Sequence, residues 1–244
     1  MSRLQRQVGK TSNSTAYIGT AGWNSAGLSG EGSHLEIYSQ HFNAAEINSS
    51  FYKNHQRSTY ERWRESVPAE FRFSVKLFKQ FTHVDRLDTS KKELRGTIQS
   101  IAGLREKWGA LLIQTPPSLA FDRKCATRFV KQLKTCTQVA CFMEPRHESW
   151  FGSEALDVLE SLGIELAFAD PSPVATKSLK SGSHYLRLHG SPRIYYSSYS
   201  KRFLSEIAAR IQAQAGERKT WCIFDNTTLG HALKNAQTLQ KLLS

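Results

Sequence analysis

Charged and amide side chains recur in this sequence at the ends of short apolar segments. Glu46 and Asn48 lie two residues apart in Ala44–Phe51 (AAEINSSF), and Lys76 is in phase with Ser74 in Arg72–Phe78 (RFSVKLF). Gln114 ends Ala110–Thr115 (ALLIQT) just before Pro116-Pro117, and Glu144 ends Val139–Glu144 (VACFME), with Pro145, Arg146 and His147 following. Asp170 ends Ile164–Asp170 (IELAFAD), Arg187 and His189 share phase in Tyr185–Gly190 (YLRLHG), and Asp225 and Asn226 close Thr220–Asn226 (TWCIFDN). Residues two apart on a strand point to the same side, so these groups converge if the segments are strands of one sheet. Arg146 and Arg187 suit a phosphate or carboxylate. Glu46, Glu144 and Asp170 supply carboxylates for general acid–base work with His189 as partner. Lys76 can polarise a carbonyl or attack it as a free amine; carboxylates nearby favour the ammonium form, so an electrostatic role is the expectation.

Each group also has a structural explanation. Glu46, Lys76 and Glu144 can serve as mutual ion pairs, such as Glu46–Lys76 or Glu144–Arg187. His189 can be a satisfied core histidine, Asp225 a turn or cap residue, and Asp170 a turn opener before Pro171. Buried charges are nevertheless rare without partners, and seven polar strand ends out of eight point to a polar pocket. Glu46, Glu144, Asp170 and His189 could hold a divalent cation, but Lys76, Arg146 and Arg187 on the same rim would repel it, so no metal or other cofactor is expected. Phe51, Tyr52, Trp150, Tyr195, Tyr196 and Tyr199 crowd the same rim. They could stack on a flat or sugar-like ligand or simply pack loops, and Tyr195, Tyr196 and Tyr199 fall in a loop long enough to act as a lid.

The elements that must carry these groups alternate. With Tyr17–Trp23 (YIGTAGW), the segments above make eight candidate strands, each a near-continuous apolar run of the kind found when both faces of a parallel sheet are covered. Helical spacing links Tyr60, Trp63 and Val67; Leu94, Ile98, Ile101 and Leu104; Phe129 and Leu133; and Ala155, Leu156, Leu159 and Leu162. It recurs in Phe203, Ile207 and Ile211, and in Leu229, Leu233, Ala236 and Leu239, while Ser33–Phe42 is the weakest helical stretch. Eight strand–helix units in 244 residues predict a single (β/α)8 TIM-barrel-like domain over residues 17–244, with its functional face at the C-terminal strand ends. A doubly wound open sheet is the alternative, but it usually carries G-x-G-x-x-G after its first strand, and that motif is absent. Asp170–Ser183 and Gly190–Lys201 read as loops.

Composition narrows the class. Hydrophobic residues make up 39% and charged residues 22%, as in a globular protein, and no apolar run is long enough to span a membrane. The first sixteen residues are basic, rich in Ser and Thr and without an apolar stretch, which reads as a flexible tail and not a secretory signal. Cys125, Cys136, Cys141 and Cys222 form no C-x-x-C pair, as expected of reduced thiols in a cytoplasmic protein.

The ordered set Ile18–Trp23 (IGTAGW), Glu46–Tyr52 (EINSSFY), Phe73–Lys76 (FSVK) with Thr82-His83, and Leu112–Pro117 (LIQTPP) resembles the DUF72 family of YecE-like bacterial and archaeal proteins. The resemblance continues through Glu144–Trp150 (EPRHESW), Arg187–Gly190 (RLHG), Tyr196–Ser200 (YSSYS) and Phe224–Asn226 (FDN). It implies a TIM-barrel-like fold with a polar cleft at the strand ends, and no established reaction. It marks as recurring positions Glu46, Asn48, Tyr52, Lys76, His83, Gln114, Glu144, Arg146, His147, Trp150, Asp170, Arg187, His189, Tyr199, Asp225 and Asn226. The segment Asn24–Ser33 (NSAGLSGEGS) departs from the family's aromatic, glycine-rich stretch, so the first loop of the cleft is altered.

Three functions compete. The first is an enzyme acting by acid–base chemistry on a small anionic or sugar-like substrate, with Glu46, Lys76, Glu144, Asp170 and His189 as its reactive groups. The second is nucleic-acid binding or processing, for which the net charge of +12 is an electrostatic footprint. The basic residues are spread along the chain without a recognised nucleic-acid motif, however. The third is a ligand-binding barrel without catalysis. No feature of the sequence indicates an oligomeric state.

Overall fold

The computed structural model describes residues 16–24, 26–174, 183–216 and 218–244. The expected basic tail therefore lies almost wholly outside the described residues, as does most of the loop after Asp170. Among the described residues nine parallel strands form: β1 (Ala16–Thr20), β2 (Ala44–Ile47), β3 (Arg72–Lys76), β4 (Trp108–Gln114), β5 (Ala140–Glu144), β6 (Glu165–Leu166), β7 (Phe168–Asp170), β8 (Tyr185–Leu188) and β9 (Thr220–Phe224). The helices are α1 (His34–Ser39), α2 (Arg57–Glu65), α3 (Lys91–Ile101), α4 (Arg123–Lys134), α5 (Ser153–Ser161), α6 (Lys201–Ala213) and α7 (His231–Leu243).

The strands form two sheets, ordered β2-β3-β4-β5-β6 and β1-β9-β8-β7. β6 and β7 are the two halves of the sixth expected strand, Ile164–Asp170, broken at Ala167. The first half pairs with β5 and the second with β8. At the other seam a single bridge, Ala21 to Glu46, joins the sheets. Gly19 lets β1 come close to β2 there, since a Cβ on it would lie 2.0 Å from the Ala44 carbonyl oxygen. The result is an α/β, TIM-barrel-like fold whose strand ladder is interrupted at these two seams.

Alternation within the strands builds two apolar layers. One set of side chains, including Ile18, Ile47, Val75, Leu111, Ile113, Met143, Leu186 and Phe224, packs against the helices in the main core. The other set, including Ala44, Leu112, Phe142, Tyr185, Trp221 and Ile223, forms a separate smaller cluster. The Phe142 and Tyr185 rings, one from each sheet, meet at 4.9 Å, so this cluster fills the space between the sheets. Continuing its phase toward the strand ends leads to Glu46, Lys76, Gln114, Glu144, Arg187 and Asp225.

Local chemistry sets the element boundaries. Ser33 and Glu36 form a reciprocal capping box that starts the short α1. Ser90, Asp122 and Ser200 each accept a backbone N–H at the start of α3, α4 and α6. The strand expected over Ala44–Phe51 stops at Ile47 and becomes a tight turn over Ser49–Phe51. There the Ser50 hydroxyl binds the carbonyls of Ile47 and Lys76, which competes with further pairing. Leu229 does not join the last helix; it is 64% exposed and precedes Gly230, whose φ of +73° lies outside the helical range. No helix among the described residues is long and apolar enough to cross a membrane.

Candidate active site

Arg187 is the hub of the strand-end cluster. Its Nε donates to Glu46 Oε2 at 3.0 Å and its Nη2 to Glu46 Oε1 at 2.8 Å, a bidentate fork between β8 and β2. Nη2 also stands 3.0 Å from Asp225 Oδ2, and Nη1 reaches Glu144 Oε2 at 3.5 Å. One guanidinium thus serves three carboxylates from three strands, and Arg187 is 1% exposed. Burial opposes its charge, but Asp225, Glu46 and Glu144 outweigh burial and hold its pKa well above the usual value. Glu144 shows the converse: burial would raise it, yet Arg187, Arg146 and His189 hold it well below the carboxylate range. Asp225 is likewise lowered, burial being overridden by Arg187 and by His189.

His189 continues the phase of Arg187 past the end of β8. Its Nδ1 lies 2.9 Å from Asp225 Oδ2, and its Nε2 lies 3.2 Å from Glu144 Oε1. Nε2 also faces Arg146 Nη2 and Arg187 Nη1, which can only donate. Nδ1 faces a carboxylate oxygen of Asp225 and so donates there, while Nε2 lies between the Glu144 acceptor and the two arginine donors. Gln114 Nε2 donates to Glu144 Oε1 at 2.8 Å, and Arg146 pairs with the same oxygen. The expected Glu144–Arg187 pair is therefore present, whereas Glu46 is bound to Arg187 instead of Lys76.

Lys76 stands apart from this network. Its Nζ lies 4.0 Å from the centroid of the Phe51 ring and has no ion pair or hydrogen bond among the described residues. Burial, reinforced by Arg187, brings its pKa down to about 8, although Glu46, Glu144 and Asp225 act in the opposite direction. The carboxylates favour the ammonium form, as expected, but burial and Arg187 outweigh them, so the amine is less firmly charged than an ordinary lysine although the ammonium still predominates at pH 7. His83, on the wide helical turn after β3, packs edge-on to Phe51 at 4.9 Å and pairs through Nδ1 with Thr82 Oγ1 at 2.8 Å. Burial, Lys76 and Lys79 lower its pKa, which favours the neutral imidazole.

Other expected site residues serve the scaffold. Trp150 is 1% exposed, donates from its indole to the Leu119 carbonyl at 2.8 Å and packs on Phe121, so it belongs to the core and not to a ligand platform. His147 caps the turn Glu148–Phe151 through Nδ1. Tyr199 is buried, donates to Asp170 Oδ2 at 2.7 Å and accepts from the Gly190 N–H at 2.8 Å. It ties the loop to the strand end, which fits a brace better than a lid, and it occupies one oxygen of Asp170. Asn226 Nδ2 bonds Ser197 O and Asn235 Oδ1, both at 2.9 Å. Tyr52 is well exposed at the rim. Asn48 Oδ1, Thr115 Oγ1 and Asn226 Oδ1 are buried without a hydrogen-bond partner among the described residues, each just past a strand end.

One contributor, Tyr185, is not among the site residues expected from the sequence. The Tyr185 hydroxyl donates to Glu46 Oε2 at 2.9 Å and meets Ser74 Oγ at 2.7 Å. Its phase with Arg187 and His189 was the available signal. Tyr195, one of the expected rim aromatics, is half-exposed with φ of +69° and stands edge-on to His189 at 6.0 Å. Among the described residues no group of three or more His, Cys, Asp or Glu side chains is placed to hold a metal ion. The carboxylate oxygens instead accept from Arg187, Arg146, Gln114, Tyr185 and Tyr199.

Comparison with known proteins places this arrangement in context. A family model described as "Protein of unknown function DUF72" matches residues 17–244. UPF0759 protein YunF of Bacillus subtilis is 23% identical to the chain, over 93% of this chain and 94% of YunF. The crystal structure of a DUF72 family protein from Enterococcus faecalis V583 superimposes with a TM-score of 0.79 at 17% identity, covering 93% of this chain and 95% of that one. A DUF72 family protein from Thermotoga maritima MSB8 gives 0.77 at 22% identity, covering 93% and 98%. Two TIM-barrel-like structures outside this group align more loosely, at 0.54 and 0.55. At these identities the likeness is one of fold.

Proposed function

We propose that this chain, which belongs to the DUF72 family, is an enzyme that acts by general acid–base chemistry on a small anionic or sugar-like substrate held at the C-terminal strand ends. The observation that carries this reading is Lys76: a buried amine, free of ion pairs and hydrogen bonds among the described residues, with a pKa near 8. About one in ten such amines is neutral at pH 7, against about one in 2,500 for an ordinary lysine. A proton-transfer group works best when its pKa lies near the working pH. The neutral-favouring His83 packs against the same Phe51 ring and is a second candidate for proton transfer. Arg187 and its three carboxylates form a preorganised field near Lys76, with Arg146, paired to Glu144, adding positive charge for an anionic group. Glu144 stays ionised in that field, so its role is electrostatic and it is ill suited to donate a proton at neutral pH. The exposed rings of Tyr52 and Tyr195 are available to a sugar face.

The test is solvent exchange. Sugar phosphates and small hydroxycarboxylates are incubated with the protein in D2O and deuterium incorporation is followed by NMR. The expected result is exchange at a carbon beside a carbonyl, rising with pH to a plateau above about pH 8 and lost by about 10²–10⁴-fold in Lys76→Met. Exchange that survives in Lys76→Met, or binding without exchange by the wild-type protein, overturns the proposal. Borohydride added with a carbonyl substrate separates the roles of Lys76: an adduct on Lys76 replaces proton transfer with a Schiff base.

A further inference from the structure

The net charge of +12 does not reside at the strand ends, where Lys76, Arg146 and Arg187 stand among Glu46, Glu144, Asp170 and Asp225. Much of it sits on two neighbouring helices, α3 and α4. Together they carry eight basic side chains and one acid, Glu93, a net +7. α5, which also packs against α4, has three acids and no base. The excess is therefore local and not an even coat.

Helix phase puts these bases on one surface. α3 buries Leu94, Thr97, Ile98 and Ile101 and exposes Lys91, Lys92 and Arg95. α4 buries Ala126, Phe129, Val130 and Leu133 and exposes Lys124, Arg128 and Lys131, a single row at i, i+4 and i+7. That row is about 10 Å long. Arg128 pairs at 2.6 Å with Asp88, in the turn that leads into α3, which sets the bases of the two helices side by side. The other five cations form no ion pair among the described residues. Glu93 is held by Ser90 at the start of α3. The placement also costs helix stability: Lys91-Lys92 and Arg123-Lys124 are the first two residues of α3 and α4, where the helix dipole disfavours cations. Solubility does not require bases at those positions, whereas an anion lying across the face offsets both the dipole and the mutual repulsion.

The rest of the surface selects among anionic partners. Among the described residues the exposed large hydrophobics are Tyr52, Val84, Ile194, Tyr195 and Leu229, all in connections and none on α3 or α4. The face thus lacks the apolar anchors of a protein interface, the apolar side of a helix that enters a bilayer, and the aromatic rings on which a single strand stacks. Phosphate contacts on a duplex need none of these. We propose that the outer face of α3 and α4 binds the phosphate backbone of a nucleic-acid duplex, without regard to base sequence, at a site separate from the strand-end cleft. Lys91, Lys92, Arg95, Lys124 and Lys131 meet the phosphates, and Arg128, pinned by Asp88, holds the two rows in register.

Fluorescence anisotropy of a labelled duplex of about 20 base pairs, titrated with the full chain at several KCl concentrations, tests this assignment. Five phosphate contacts give a slope of log affinity against log salt of about −4.5, which is a loss of about 500-fold between about 50 and 200 mM. The combined variant Lys92→Gln, Lys124→Gln, Lys131→Gln is expected to flatten the slope by about 2.7 and to weaken binding at least tenfold at about 100 mM. A second combined variant, Lys201→Gln, Lys234→Gln, Lys241→Gln, removes the same charge from exposed positions of α6 and α7 and should bind within threefold of the wild type. Lys76→Met should also bind as the wild type does. Duplex DNA and duplex RNA should bind within tenfold of each other, since cations alone do not read a 2′-hydroxyl. Equal losses in the two lysine variants, a slope shallower than about −2, a more than tenfold preference for RNA, tighter binding to phosphatidylglycerol vesicles than to the duplex, or no binding at about 50 mM KCl overturns the proposal.

Discussion

Replacing Arg187 by Gln removes the cation that, among the described residues, forms ion pairs with Glu46, Glu144 and Asp225 together. Because Arg187 is 1% exposed and Glu46 fully buried, solvent screening does not soften the loss. Breaking a buried ion pair by removing one partner costs about 3–5 kcal/mol, mostly because the remaining charge is left uncompensated. With three carboxylates affected, the upper half of that range is expected. For a domain of this size each kcal/mol lowers Tm by about 2–4 °C, so the variant should melt roughly 8–20 °C lower at neutral pH. The pH dependence gives a sharper criterion. In the wild type, Glu144 and Asp225 titrate below their unfolded values. Their contribution is therefore fully present above about pH 4 and is lost as pH falls through their lowered folded pKa values. In Arg187→Gln the same carboxylates lose that cation, burial raises them, and protonation relieves the repulsion. The stability gap between variant and wild type should then narrow as pH drops from 7.5 to 5. Urea denaturation followed by tryptophan fluorescence at both pH values measures the gap. A loss below about 1 kcal/mol at pH 7.5, or a gap that does not change with pH, refutes the account of Arg187 as the shared counter-ion. Arg187→Lys should fall in between, because it keeps the charge without the fork.

Gly19→Ala should destabilise the fold by about 1–3 kcal/mol or more, since its Cβ would strike the Ala44 carbonyl at the seam between the sheets; a thermal melt unchanged from wild type would remove that seam from the argument. In a thiol titration with a disulfide reagent, Cys125 and Cys136, which are partly exposed, should react in the native protein. Cys222, fully buried, and Cys141, pushed up to about 11 by burial, should react only after unfolding.

Much of the scaffold follows from local pattern. The apolar runs mark eight barrel strands, and the helical spacing marks the helices that cover them, because burial of one face or both writes a period into the sequence. Boundaries are less legible: Ile164–Asp170 reads as one strand, and only its pairing with β5 on one side and β8 on the other divides it at Ala167. Two-residue alternation also foretells that Glu46, Lys76, Glu144, Arg187 and His189 converge. It does not distinguish a side chain aimed at the cleft from one folded into the scaffold, so Trp150 and Tyr199 read as ligand platforms while Tyr185 goes unnoticed.

What the sequence by itself determined is the class of fold, the end of the strands at which the polar groups gather, and the family, since periodicity and ordered motifs are properties of the chain. Only the tertiary structure decided how those groups are paired. Arg187 takes the carboxylates, and Lys76 is left as an amine without an ion pair or hydrogen bond among the described residues. The reason is physical: charge state and pairing depend on burial and on distances of a few ångströms between strands far apart in sequence, and no local spacing encodes either.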